Sequence, residues 1–204
     1  MNDLIPLNTQ GKPSDLEFPV KLASRAEAID TYRRACKRML NPPIWHELAG
    51  WATAHFDLVG QEGEELHRLI KEGDFLRIDI PGPGPAAGDG YDWVKVVMLE
   101  NHSDPEAVDE WMGMKVHPSP GPGKIAGDPA HFFQSHASST FIIERNGDTV
   151  TAFYHGRNEV PNTATEKISD NIRNAIVAAG AIISLSEVQW SALCKGFLSE
   201  EIGG

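Results

Sequence analysis

The sequence predicts an α+β protein: an antiparallel sheet in the middle of the chain, open or curled into a small barrel, flanked by N-terminal and C-terminal helices. Three observations carry this. Two runs of β-formers, Thr140–Arg145 and Asp148–Tyr154, surround Asn146-Gly147, a pair that accepts the positive dihedrals of a tight hairpin. After Ser24, Ile29, Tyr32, Cys36, Met39 and Leu40 recur at spacings of three and four, the stripe of an amphipathic helix. Strand-like and helix-like segments do not alternate, so a doubly wound parallel sheet is not expected.

Residues 1–22 contain breakers and little periodicity, and are expected as an extended N-terminal arm on a single α+β domain of residues 23–204. Leu16, Phe18 and Val20 share one side of that arm and can dock on the body. Ser24 and Glu27 form a capping box, and Asp30 and Arg34 are spaced to pair on the outer helical face. Asn41-Pro42-Pro43 ends the helix, and Pro43 suits the start of another over 44–54. Strands are expected over 56–59, 75–80, 91–99 and 112–117. Short helical segments are expected over 62–71, 104–111 (capped by Asp104) and 128–136. The final third reads as a helix over 165–179 stopped by Gly180 and a short strand over 181–184. A second capping box at Ser186 and Gln189 follows, with Leu185 and Trp190 placed for a hydrophobic staple. Val188, Leu193, Cys194, Phe197 and Leu198 continue an apolar face.

At 204 residues, with 41% hydrophobic and 23% charged residues, the chain is long enough for one real core. A net charge of -11 repels phosphate backbones and anionic lipid surfaces, so neither nucleic acid nor membrane is expected as a partner. A protein partner or a homo-oligomer fits the charge. The start MNDLIPLNTQGKPSD lacks the basic and apolar regions of a secretory signal, and the longest apolar run, AIVAAGAII, is too short to cross a bilayer. A cytoplasmic location is the resulting expectation. Cys36 and Cys194 fall on apolar helical faces and read as buried thiols.

PGPGPAAGD at 81–89 and PGPGKIAGD at 120–128 agree at seven of nine positions. Each follows a strand-like run, and the similarity ends with the loop. Alternating proline removes the N–H donors that a phosphate-cradling loop needs. The shared chemistry is therefore turn chemistry, and a site would form around the loops. Asp89 and Asp128 then hold equivalent places, with Lys124 in the second loop only. DGYDWVKV at 89–96 adds Tyr91 and Trp93, aromatics beside acids that suit a ligand wall or partner surface.

YHGRNEVPNT at 154–163 sets His155, Arg157, Asn158 and Glu159 at a strand end, where functional side chains collect. His155 and Glu159 are the candidate catalytic acid/base pair. Arg157 and Asn158 are candidate binding residues, with Arg157 able to grip a carboxylate or serve an internal network. HExxH fails at Gly50, His131 and His136 are five apart, and the nucleophile-elbow and Walker patterns are not met. No metal and no cofactor are expected. The leading expectation is a non-catalytic protein-binding or self-assembling module working through the loop end of its sheet. The alternative is an enzyme acting there on a small polar or anionic substrate.

Overall fold

The computed structural model describes residues 3–50, 54–79, 90–124, 133–160 and 187–200. In chain order the elements are β1 (Ser14–Lys21), α1 (Arg25–Met39), a 3-10 turn (Pro42–Ile44), α2 (Trp45–Ala49), β2 (His55–Val59), β3 (Phe75–Asp79), β4 (Asp92–His102), β5 (Asp109–Pro118), β6 (Ser138–Asn146) and β7 (Thr149–Arg157). Residues 187–198 are helical and are called α3 here. The strands make one antiparallel sheet in the order β1-β7-β6-β5-β4-β3-β2. The sheet stays open, with β1 and β2 at opposite edges, so the α+β expectation holds and closure into a barrel does not occur.

Alternation along the strands gives the sheet two faces. Val94, Val96, Met112, Met114, Val116, Phe141, Ile143, Val150, Ala152 and Tyr154 point inward to one core, shared with Tyr32, Ala35, Cys36 and Met39 of α1. Leu193, Cys194, Phe197 and Leu198 of α3 fill the same core, as their helical spacing predicts, while Val188 is 68% exposed. Trp45 anchors the packing, with Phe56, Phe141 and Phe197 at ring distances of 5.1, 5.6 and 5.9 Å.

Charged groups inside this frame are tied to backbone. Arg38 is buried and its Nη1 donates to the carbonyls of Gly196, Phe197 and Ser199 at 3.1, 3.3 and 2.5 Å. It satisfies the open C-terminal carbonyls of α3 and places a cation at the negative end of the helix dipole. Arg145 and Glu110 form a buried ion pair at 2.6 Å. The Arg145 guanidinium also donates to the carbonyls of Val108, Gly147 and Ala107. Cys36 and Cys194 are unpaired and buried, and burial pushes both thiols up to about 12.

Several local expectations are corrected. The segment over 104–111 is not a helix. Only residues 103–108 separate β4 from β5, which must pair His102 with Trp111, so the chain turns at once. Asp104 accepts from the Glu106 amide at 3.0 Å, and Arg25 holds the carbonyls of Pro105, Glu106 and Ala107. Residues 62–71 are irregular because their backbone groups bond outward, Leu66 N to Leu58 O and Ile70 N to Leu40 O. The helix expected over 44–54 ends at Ala49, with Gly50 at φ +90°. The hairpin's two turn residues are Gly147 and Asp148, since Asn146 still pairs with Thr149. Gly147 has φ +61° and Asp148 is not left-handed, as a type II′ turn requires.

The N-terminal segment is part of the architecture. Ser14–Lys21 is edge strand β1, paired along its length with β7. Leu16 and Phe18 pack on the core, while Val20 is 38% exposed. Upstream, Leu4 is fully buried on the outer face of the sheet. It lies so close above Gly113 that a Cβ there would collide with its Cδ2. The expected helices over 128–136 and 165–179, the strand over 181–184 and the cap at Ser186 lie wholly or largely outside the described residues. Among the described residues, no helix is long and apolar enough to cross a membrane.

Candidate functional site at the loop end of the sheet

The register brings the candidate segments to one end of the sheet. β3, β5 and β7 finish there, and β4 and β6 begin there. The second Pro-Gly loop leaves β5 at this end, held by Ser119 N donating to Trp93 O at 2.8 Å. Gly121 and Gly123 have φ of +91° and +70°, which is why the loop alternates glycine with proline. Gly121 also lets the chain lie on the Trp93 indole, since a Cβ there would stand 3.3 Å from the ring. The first Pro-Gly stretch, residues 81–89, lies in the chain between β3 and β4 and outside the described residues, and β4 separates β3 from β5 in the sheet. Asp89 and Asp128 lie outside the described residues. Lys124 is exposed.

Tyr91 lies under the Arg77 guanidinium at 5.0 Å, and Arg77 is fixed by Asp57 at 2.8 Å. With Trp93 they form an aromatic shelf at the outer rim.

The YHGRNE cluster is divided by the sheet. His155 and Arg157 are on the outer face, where both reach the same carboxylate: His155 Nδ1 lies 2.5 Å and Arg157 Nη2 2.6 Å from Asp15 Oδ1. Burial works against the Asp15 charge, but the Arg157 and His155 contacts outweigh it and hold the carboxyl below its ordinary value. Arg157 also donates to the carbonyls of Ser14 and Gly156. Asn158 has φ +54° and gathers the N-terminal segment. Its Oδ1 accepts from Thr9 N, Thr9 Oγ1 and Gln10 N, and its Nδ2 donates to Leu7 O.

Glu159 turns back to the inner face, so it does not meet His155. Its carboxylate lies over Gly156, where a Cβ would stand 2.5 Å from Oε1. Tyr154 donates to Glu159 Oε1 at 2.8 Å, and Ser139 Oγ lies 3.1 Å from the Tyr154 hydroxyl. Across Gly156, β1 contributes Ser14, whose hydroxyl is buried and has no hydrogen-bond partner. The Trp190 ring stacks on Tyr154 at 5.5 Å and closes the cluster from the α3 side. Burial pushes the Glu159 carboxyl up, an effect that Tyr154 and Arg157 oppose and Glu187 reinforces. Burial likewise pushes the Tyr154 phenol well up.

Chemically, this is a polar knot at one end of an aromatic core. The Glu159 carboxyl, whose charged form burial disfavours, accepts from Tyr154, and Ser14 offers a hydroxyl donor beside it. The sequence singles out Glu159 but not Tyr154 or Ser14, and offers Ser139 only as a hydroxyl without a nucleophile elbow. The alternation of β7, with Val150 and Ala152 on the core face, marks Tyr154 as inward-facing. Pairing of Ser14 with the last strand has no local signal.

No family model matches this chain, and no curated protein matches it. Solved structures show weak likenesses. A hypothetical protein from Helicobacter pylori has a TM-score of 0.43 at 10% identity, over 90% of this chain and 86% of that one. The di-domain ARO/CYC StfQ of the steffimycin biosynthetic pathway has 0.43 at 12%, over 91% of this chain and 50% of its own. Major latex-like protein 151 of Panax ginseng has 0.39 at 12%, over 89% and 99%. At these scores the likenesses carry no argument about function.

Proposed function

We propose that the protein is a binding module that takes a small, largely apolar ligand bearing a carbonyl or similar acceptor, between the loop end of the sheet and α3. One observation carries this reading: the buried Ser14 hydroxyl has no partner and stands across Gly156 from a buried carboxyl. A buried hydroxyl left unbonded costs about 1–3 kcal/mol, which a ligand oxygen would recover. Convergent polar groups in an aromatic setting are the ordinary pattern of a ligand site. Trp190, Phe141 and Tyr154 supply the apolar wall. The separation of His155 from Glu159 supports binding over acid/base catalysis, because a proton relay needs the two within reach. The two unpaired cysteines suit a reducing, cytoplasmic setting.

A second reading rests on Tyr91, Trp93 and Arg77 beside the second Pro-Gly loop. This half-buried aromatic shelf supports docking of a protein partner or a second copy of the chain. Native mass spectrometry of the protein purified from its source separates the two. A small-molecule adduct that Ser14→Ala and Glu159→Gln weaken supports the interior site. A stoichiometric second protein or a dimer, lost in Trp93→Ala, supports the shelf. A bare monomeric mass argues against both.

A further inference from the structure

The register aligns a row of side chains on the outer face at the loop end. Lys95 of β4 stands opposite His117 of β5, and Ser138 of β6 stands opposite Arg157 of β7. Val116 pairs with Ser139, so one further step along the same register sets His117 opposite Ser138. The row therefore reads Lys95, His117, Ser138, Arg157, with adjacent members on strands about 4.8 Å apart. The next row reads Lys115, Thr140, His155, Asp15.

This face gathers basic side chains around one unsatisfied hydroxyl. Lys95 stands opposite His117, with Lys115 two residues away on the same strand. The only carboxylate in the two rows, Asp15, is already bonded to His155 and Arg157. Ser138, paired with Arg157 across β6 and β7, is 1% exposed and its hydroxyl has no hydrogen-bond partner. The N-terminal segment forms one wall, since Lys115 Nζ donates to Asp3 O at 2.8 Å and Thr140 Oγ1 to Leu4 O at 3.2 Å. Burial, then the charge of Lys115, hold His117 below its usual value against the hydrogen bond to the Ser135 backbone, and a neighbouring anion would push it back up. The concentration of basic groups contrasts with a chain of net charge -11.

We propose that this face is an oxyanion site, in which the Ser138 hydroxyl, the His117 imidazole and the Arg157 guanidinium hold a phosphate or carboxylate group, with Lys95 and Lys115 adding attraction from the flank. Ser138 supplies the directional donor and the basic groups supply the charge. The site lies on the opposite face from the Ser14–Glu159 cluster and shares no residue with it, so either can fail alone.

The test is an amide NMR titration of the full chain with potassium phosphate, against potassium chloride at equal ionic strength, repeated with acetate. Phosphate is expected to give saturable shifts at His117, Ser138 and Arg157, with an affinity on the order of 1 mM. His117→Gln and Ser138→Ala should each weaken it roughly tenfold, about 1.4 kcal/mol. A matching response to acetate identifies a general carboxylate and phosphate site, and phosphate alone a tetrahedral-anion site. Ser138→Ala should melt no lower than the parent, because it removes an unsatisfied buried hydroxyl. Shifts that follow ionic strength equally in chloride would overturn the proposal. So would unchanged affinity in both variants, or a lower melting temperature in Ser138→Ala.

Discussion

Glu159 is an ionisable group whose charged form is disfavoured by burial. Its folded-state value lies above the ordinary 4.5, raised first by burial. Its contribution to stability is therefore complete below the unfolded value and is lost as pH rises through the folded one. Glu159→Gln keeps the shape and removes the titration. The variant should melt at least as high as the parent at pH 7 and gain no advantage at pH 4, which thermal melts across that range will check. Asp15 has the opposite sign. Its stabilising contribution is present above its unfolded value and is lost as pH falls through its depressed folded one. Tyr154→Phe leaves Glu159 and Ser139 each short of a partner and should cost about 1–3 kcal/mol, measured by denaturant unfolding. Glu159 could be picked from the sequence because charged residues cluster at a strand end. Its role could not, because the direction of its side chain depends on Gly156 lacking a Cβ.

At the scale of the element, the hairpin and the helix ends carry the clearest predictions. A Cβ at Gly147 would meet nothing within 4 Å, so Gly147→Val costs only its left-handed backbone, about 1–2 kcal/mol. An unchanged melting temperature would contradict the turn assignment. Arg145→Met leaves Glu110 buried without its cation and should cost about 3–5 kcal/mol, read by the same unfolding measurement. The hairpin was legible because its turn chemistry and its β-formers are contiguous in sequence. The 104–111 segment was misread because Asp104 and Pro105 satisfy helix-start rules equally well as turn rules. What decided between them was the β4–β5 register, which propensity does not contain.

The whole molecule depends on pairings that join distant parts of the chain. β1 closes one edge by pairing with β7, and Leu4 is seated over Gly113. The α+β class, the antiparallel sheet and the apolar face of α3 were all legible from periodicity. The docking of the N-terminal segment was not, because the Asn158 contacts span 148 to 151 residues. Leu4→Ala removes a fully buried side chain from a segment that is otherwise held by hydrogen bonds. It should loosen that segment before the core, seen as faster proteolytic clipping near the N-terminus with a smaller change in global melting. Equal protection of parent and variant would contradict this order.

At the loop end of the sheet the outer Asp15 carboxyl is held below its ordinary value, while burial pushes the interior Glu159 carboxyl up. The most direct measurement is the carboxyl titration of Glu159, followed by carbon-detected NMR in the parent and in Tyr154→Phe. The account predicts a midpoint above 4.5 in the parent, and a further rise when the Tyr154 hydroxyl no longer supports the charged form. A midpoint at or below 4.5 would contradict it, making Glu159 an ordinary carboxylate and the interior cluster a salt-tolerant structural bond.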